Sequence, residues 1–342
     1  MGMGSPKDPL TQAEGYRYLS RLVRAGLEAF IEYADPKAPV LRRMVHETVK
    51  MGADNPDNYY QNATISGAYE YKISGKRNSV RFLSFSTQKG SYGEGRGLPP
   101  TGFLDGADLE IEDDGRFEVF LSTERREKNW LPMEAETGMV MVRQTFGDKT
   151  REVPADLTIR RIDESGRPSA APSPASPAQI DSGLATTSKL VAGASLLFAK
   201  WAKGFRDHKN ELPQMPPEVS TKAGGDPKIF YYHSYWELGP DEALVIEVTP
   251  PECEFWNFQL NNHWMESLDY RYYHIHINKV TAEPEEDGSV RVVVAHRDPG
   301  CKNWLTTAGH GCGTMLWRWI KAADNPQPTT RVVPAAELKR ER

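Results

Sequence analysis

The residue types best suited to proton chemistry gather at one end of this chain of 342 residues. Six of its eight histidines, His233, His263, His274, His276, His296 and His310, lie beyond residue 228. His263 stands in the run Asn262-His263-Trp264-Met265-Glu266-Ser267-Leu268-Asp269-Tyr270. An imidazole whose tautomer is held by a carboxylate can act as a general base, and Glu266 and Asp269 are the carboxylates within reach along the chain. Ser267 has the chemistry of a nucleophile but lacks the Gly-x-Ser-x-Gly strand–turn–helix setting. The competing reading is that these groups cap a turn and satisfy buried backbone. Further on, Asp298 and His310 bracket a second turn and are additional acid–base candidates.

His274 and His276 are two positions apart, so on a strand their rings share a face with Tyr272. Two imidazoles on one face can begin a divalent-metal site if His263, Glu266 or Asp269 supplies a third ligand. A polar, partly exposed sheet face is the competing reading. No nicotinamide, flavin or nucleotide fingerprint is present. The Gly-rich run from Gly90 to Gly97 lacks a Gly-Lys-Ser/Thr ending and enters Leu98-Pro99-Pro100, so a loop at a pocket mouth is expected there. Cys253, Cys301 and Cys312 are odd in number and fit neither a zinc ribbon nor a Cys-x-x-Cys pair, which points to reduced thiols and a cytoplasmic protein.

The elements that must position these residues follow from periodicity. Tyr18, Leu22 and Leu27, with Leu19, Val23, Phe30 and Ile31, recur at helical steps and predict a helix over 11–33. A second helix is expected over 38–51. Alternating runs separated by Gly, Asp and Asn predict strands from residue 59. Residues 163–182 read as a Pro/Ala/Ser linker. Helical periodicity returns over 183–209, until Pro213, Pro216 and Pro217 stop it. Strand texture then resumes at Ile229.

The two strand regions match one another. At one constant offset Tyr59 aligns with Tyr232, Ile73 with Ile246, Phe82 with Phe255, Phe85 with Phe258, and Asp114-Gly115 with Asp287-Gly288. Small shifts bring Asn129-Trp130 onto Asn303-Trp304, Gly138 onto Gly313 and Arg143 onto Arg318. Arg151, Val153 and Pro154 then align with Arg331, Val333 and Pro334. The expectation is an internal duplication. Its repeated Asn, Trp and Arg would serve the architecture: Asn capping a turn, Trp packing the core, Arg pairing within the sheet. Asp-Gly hairpin turns and many short strands favour a β-sandwich or jelly roll over a parallel α/β sheet.

The stretches NWLPMEAETGMVMVRQ (129–144), PPECEFWNFQLNNHWMESLDYR (250–271) and DPGCKNWLTTAGHGCGTMLWRW (298–319) resemble bacterial proteins carrying domain of unknown function 1214. The resemblance implies a jelly-roll β-sandwich and brings no established reaction. The fold expected is therefore mainly β with helical additions. A helical segment (1–52) precedes a first β half (53–162), the linker (163–182), a helical insertion (183–227) and a second β half (228–342).

Composition limits the partners. The 42 basic and 47 acidic residues leave a net charge of −5, with no basic excess to hold nucleic acid. The longest apolar run, 190–202, carries Lys200 and falls short of the ~20 residues of a membrane span. An enzyme of hydrolase or lyase type is the leading expectation, acting on a small, largely apolar molecule by acid–base chemistry. Its pocket would lie in the second half, lined by Trp256, Trp264, Tyr270 and Tyr272, with Arg318 also contacting the substrate. The alternatives are a non-catalytic binding protein and an assembly module that forms a homo-oligomer.

Overall fold

Asp8 starts the first helix, α1 (Pro9–Leu27), by accepting a hydrogen bond from the Thr11 N–H, and Pro9 fills the first turn, where a missing N–H costs nothing. The computed structural model describes residues 4–90, 97–163, 174–222 and 224–338. A short π-helical stretch, Glu28–Glu32, continues α1. The second helix expected over 38–51 does not form. Arg42 instead bridges to Asn62 and His46 to Val49. The segment is rich in β-branched residues (Val40, Val45, Thr48, Val49), and burying Met44, Val49 and Met51 against α1 decides its path.

The first half contains β1 (Asn58–Thr64), β2 (Glu70–Lys76), β3 (Phe82–Lys89) and β4 (Pro100–Asp105). It continues with β5 (Arg116–Ser122), β6 (Trp130–Pro132), β7 (Thr137–Thr145) and β8 (Asp156–Ile162). Two helices follow, α2 (Pro177–Phe205) and α3 (Pro217–Lys222). Helix α2 begins inside the stretch expected to be linker, because Ser176 and Gln179 form a reciprocal capping box. Residues 164–173 of that stretch lie outside the described residues. The second half contains β9 (Ile229–Glu237), β10 (Glu242–Val248), β11 (Cys253–Leu260) and β12 (His276–Asn278). Then come β13 (Val290–Ala295), β14 (Trp304–Thr306), β15 (Cys312–Ala322) and β16 (Thr329–Pro334).

Among the described residues the strands form four sheets, ordered β1-β7-β3-β4 and β6-β5-β2-β8 in the first half, β9-β15-β11-β12 and β14-β13-β10-β16 in the second. Adding eight to each label of the first half reproduces the second, so the duplication holds at the level of topology. Register agrees: Phe120 pairs with Trp130 as Val293 pairs with Trp304, and Ser84 faces Arg143 as Asn257 faces Arg318. Asn129 and Asn303 both have positive φ (43° and 49°), a region asparagine tolerates. Each side chain bonds both backbone groups of a residue upstream, Glu110 for Asn129 and Glu283 for Asn303. That is the turn-capping role expected of them.

Three expectations need correction. Tyr59 and Tyr232 are not equivalent, because Tyr60 lies opposite Arg143 while Tyr231 lies opposite Arg318. The first strand is thus shifted by two residues, which preserves facing but not alignment. Arg151 precedes β8, and the register partner of Arg331 is Arg160, since Lys72 pairs with Arg160 as Val245 pairs with Arg331. Trp304 is half-buried against a satellite cluster of Ala243, Val293, Ala295 and Cys301, not in the main core. The tryptophans filling the second sandwich are Trp236, Trp256, Trp317 and Trp319.

In each half the two sheets enclose an apolar core, around Phe85, Val119 and Leu121 in the first and Phe258, Val292 and Trp317 in the second. β7 and β15 are buried along both faces. One face of each strand fills its own sandwich, and the other turns toward the opposite half. Phe82 touches its own equivalent, Phe255, with ring centroids 5.6 Å apart. Such self-contact is what a pseudo-two-fold relation between halves produces. No helix among the described residues is long and apolar enough to cross a membrane.

Candidate functional site

The outward faces of β1, β7, β9 and β15 do not close on one another. Between them lies a cavity of about 590 Å³, roofed by α2 and flanked by α3. Its walls are apolar where α2 supplies Leu190, Leu197, Phe198 and Trp201 and where the sheets supply Met141 and Leu316. The chain entering β1 passes beneath α2 at Gly52, which has φ +63°, and a Cβ there would come within 2.8 Å of the Phe198 ring. Lys189 and Leu197, both exposed, stand at the rim. Residues 91–96 of the expected Gly-rich loop lie outside the described residues, while Gly97 and Leu98 line the cavity.

Polar groups meet on the floor. Arg318 is 4% exposed and donates to Ala53 O at 2.7 Å, to Asn257 Oδ1 at 3.2 Å and to Gln259 Oε1. Its duplicate, Arg143, donates to Gly224 O and Ser86 Oγ and lies 4.0 Å from the Asp226 carboxylate. Tyr60 and Tyr231 accompany the two arginines. Burial pushes the Tyr231 hydroxyl up to about 12, against the pull of Arg318, so it stays protonated. His233 is stacked on Phe205 at 5.3 Å and on Tyr231 at 5.8 Å. Burial, aided by Arg318, pushes its pKa down to about 3, so the ring is neutral, and its buried Nδ1 has no hydrogen-bond partner among the described residues. Asp54 on the cavity wall accepts from the N–H and hydroxyl of Ser267, at 2.9 and 2.8 Å.

Of the residues expected from sequence to form a site, only Arg318 lines this cavity. His263, Trp264, Glu266 and His310 do come together, but around α1. His310 Nε2 lies 2.8 Å from Glu14 Oε2, and its Nδ1 donates to Thr307 O at 3.0 Å. Asn262 donates to both Glu14 and Glu266 at 3.0 Å, and Glu266 pairs with Arg21 of α1. Burial raises the pKa of Glu266 despite that arginine. Trp264 donates to Thr11 O at 2.8 Å and packs against Gly15. His263 shares a hydrogen bond of 3.0 Å with the Tyr235 hydroxyl, and burial, then Arg206, push its pKa down to about 4. His310, Asn262, Glu266 and Trp264 dock the N-terminal helix, and His263 packs behind Trp264. Glu14 was the missing member, and its signal is a carboxylate among the buried positions Thr11, Tyr18 and Leu22 of an amphipathic helix.

The remaining candidates are dispersed. Asp269 is tied to Arg271 at 2.7 Å, and exposed Asp298 accepts from its own turn at Gly300 N, 2.8 Å. Trp256 is core, stacked on Trp317 at 4.9 Å, and Tyr272 is 76% exposed. Tyr270 lies over the Lys50 ammonium at 4.4 Å. His274 is exposed and precedes β12, while His276 turns its Nε2 to Asp57 at 3.2 Å. Among the described residues no three His, Cys, Asp or Glu side chains are grouped to hold an ion.

The α1 dock has a pH signature. Burial, the largest influence on His310, favours the neutral ring, but the Glu14 hydrogen bond and charge outweigh it and raise the pKa above 6.5. Burial likewise opposes ionisation of Glu14, and His310, Asn262 and Arg17 overcome it to lower the pKa below 4.5. The His310 contribution is complete below pH 6.5 and is lost as pH rises through the raised value. The Glu14 contribution is complete above pH 4.5 and is lost as pH falls through the depressed value. Docking should therefore be tightest between these limits. Thermal melts from pH 6 to 9 should show wild type losing stability relative to His310→Gln; parallel profiles for the two proteins would remove His310 as the cause.

A family model described as protein of unknown function (DUF1214) matches residues 241–323. The crystal structure of an uncharacterized protein from Burkholderia cenocepacia is similar at 50% identity, with a TM-score of 0.94, covering 98% of this chain and 92% of that one. The VPA0106 protein from Vibrio parahaemolyticus is similar in fold, with a TM-score of 0.54 at 11% identity, covering 94% of this chain and 99% of that one. No curated protein matches the chain.

Proposed function

This chain belongs to the family of proteins carrying domain of unknown function 1214, and we propose that it binds a small, largely apolar organic molecule in the cavity between its two halves. The observation that carries this reading is the cavity itself. At about 590 Å³, with apolar walls and a few convergent polar groups, it has the dimensions and chemistry of a ligand site, for which ~300–1,000 Å³ is usual. Both halves and α2 are needed to enclose it, so the duplication and the helical insertion acquire a common purpose. None of the described cysteines forms a disulfide, which suits a reducing compartment and supports a cytoplasmic location.

Turnover is the second reading, and His233 favours it as a neutral imidazole on the cavity wall. With a pKa near 3 that ring is a weak base at neutral pH, better suited to orienting a ligand than to abstracting a proton. The histidine–carboxylate pairing expected of a hydrolase or lyase lies instead beneath α1. Binding therefore leads. Gly193 lines the cavity, and a Cβ added there meets no atom within 4 Å, so a side chain at this position starts in open space. Gly193→Trp should melt like wild type and lose the stabilisation that amphipathic small molecules confer on wild type in a thermal-shift panel. Equal stabilisation of both proteins would place binding outside the cavity.

A further inference from the structure

Resting on that reading, we infer that the ligand is an amphipathic organic acid whose carboxylate is held by Arg318 while its apolar body lies under α2. Arg318 is buried, yet among the described residues no carboxylate lies within ion-pair distance of it; its partners are the neutral oxygens of Ala53, Asn257 and Gln259. Burying a charge without a counter-charge is strongly unfavourable. The duplicate site shows how the same fold answers that problem. Arg143 has the buried Asp226 carboxylate of its own chain at 4.0 Å. Arg318 has no such neighbour, and it opens onto the cavity.

The other charges facing this floor are already balanced. Asp54 and Asp57 act on Arg318 from beyond pairing distance, but Asp54 also acts on buried Lys50, and Asp57 on Lys149. Glu266, Asp269 and Glu47, which face the same region, are paired with Arg21, Arg271 and Arg43. One positive charge is left over, and Lys189 adds another at the rim. The donor geometry narrows the anion further. Asn257 and Gln259 occupy both hydrogens of Nη1, and Ala53 occupies one on Nη2. Nε has no acceptor among the described residues and Nη2 has one hydrogen to spare, so donors remain on the two nitrogens whose side-on edge suits the two oxygens of a carboxylate. His233, with its unpartnered Nδ1, can take one polar atom of the ligand body.

The test compares acids with their isosteric amides. Octanoate and 4-phenylbutanoate should bind wild type about tenfold or more tightly than octanamide and 4-phenylbutanamide in calorimetric titrations, as expected when a charge-assisted pair replaces a neutral one. Arg318→Gln should lose that preference while Arg318→Lys retains part of it. The wild-type comparison needs no variant, so it decides the question even if Arg318→Gln fails to fold. Equal binding of acid and amide to wild type, abolished by Gly193→Trp, would overturn the carboxylate inference and leave the cavity reading standing. Failure of every compound to bind would overturn both.

Discussion

Glu14→Ala is expected to destabilise the protein by ~3–5 kcal/mol, the usual cost of removing one member of a buried charged pair. The Glu14 carboxylate accepts from His310 Nε2 at 2.8 Å and Asn262 Nδ2 at 3.0 Å, and both partners are buried. Without it, His310 loses the partner that raises its pKa and the Asn262 amide loses an acceptor. Glu14→Gln keeps an acceptor oxygen and should cost less, ~1–2 kcal/mol. Because Trp264 packs on Gly15 and donates to Thr11 O, loosening of α1 should also shift tryptophan fluorescence and expose residues 9–27 to protease before global unfolding. A Glu14→Ala melt superimposed on wild type would show that packing alone docks the helix.

Trp317→Ala should cost a further ~3–5 kcal/mol for a different reason. Its ring is fully buried between the sheets of the second sandwich, stacked 4.9 Å from Trp256 and tilted against Trp319 at 5.2 Å. Alanine there leaves a void that a rigid pair of sheets cannot collapse to fill. Trp304→Ala removes as many atoms from a half-buried position and should cost roughly half as much. Denaturant midpoints of the two variants decide between them. Equal losses would mean that the indole hydrogen bond from Trp304 to Ala295 O matters more than burial.

Much of the scaffold was legible because it is written in local periods and repeated. Strand alternation, Asp-Gly turns and the Asn-Trp turn recur in both halves, and each specifies its own geometry through nearby backbone contacts. The 38–51 segment was misread because apolar spacing alone does not distinguish a helix from a buried irregular chain, and burial against α1 chose the latter. The α1 dock was half legible. His263, Glu266 and His310 stand out in the sequence as acid–base candidates, but His263 is matched there with Glu266 or Asp269 and His310 with a separate turn. Glu14, 296 positions away from His310, had no local reason to be grouped with them.

Sequence by itself thus determined the sandwich plan, the duplication and the capped turns, since these depend on side-chain period and on contacts a few residues apart. Tertiary structure alone decided where the cavity lies and what faces it. Arg143 and Arg318 read alike along the chain, each as an arginine inside a near-continuous apolar run, MVMVRQ in one half and MLWRWI in the other. Only the packing of one half on the other placed Asp226 beside Arg143 and left Arg318 with neutral partners at the edge of the cavity. The balance of charge in a low-dielectric interior is a property of neighbours in space, and a linear order of residues does not carry it.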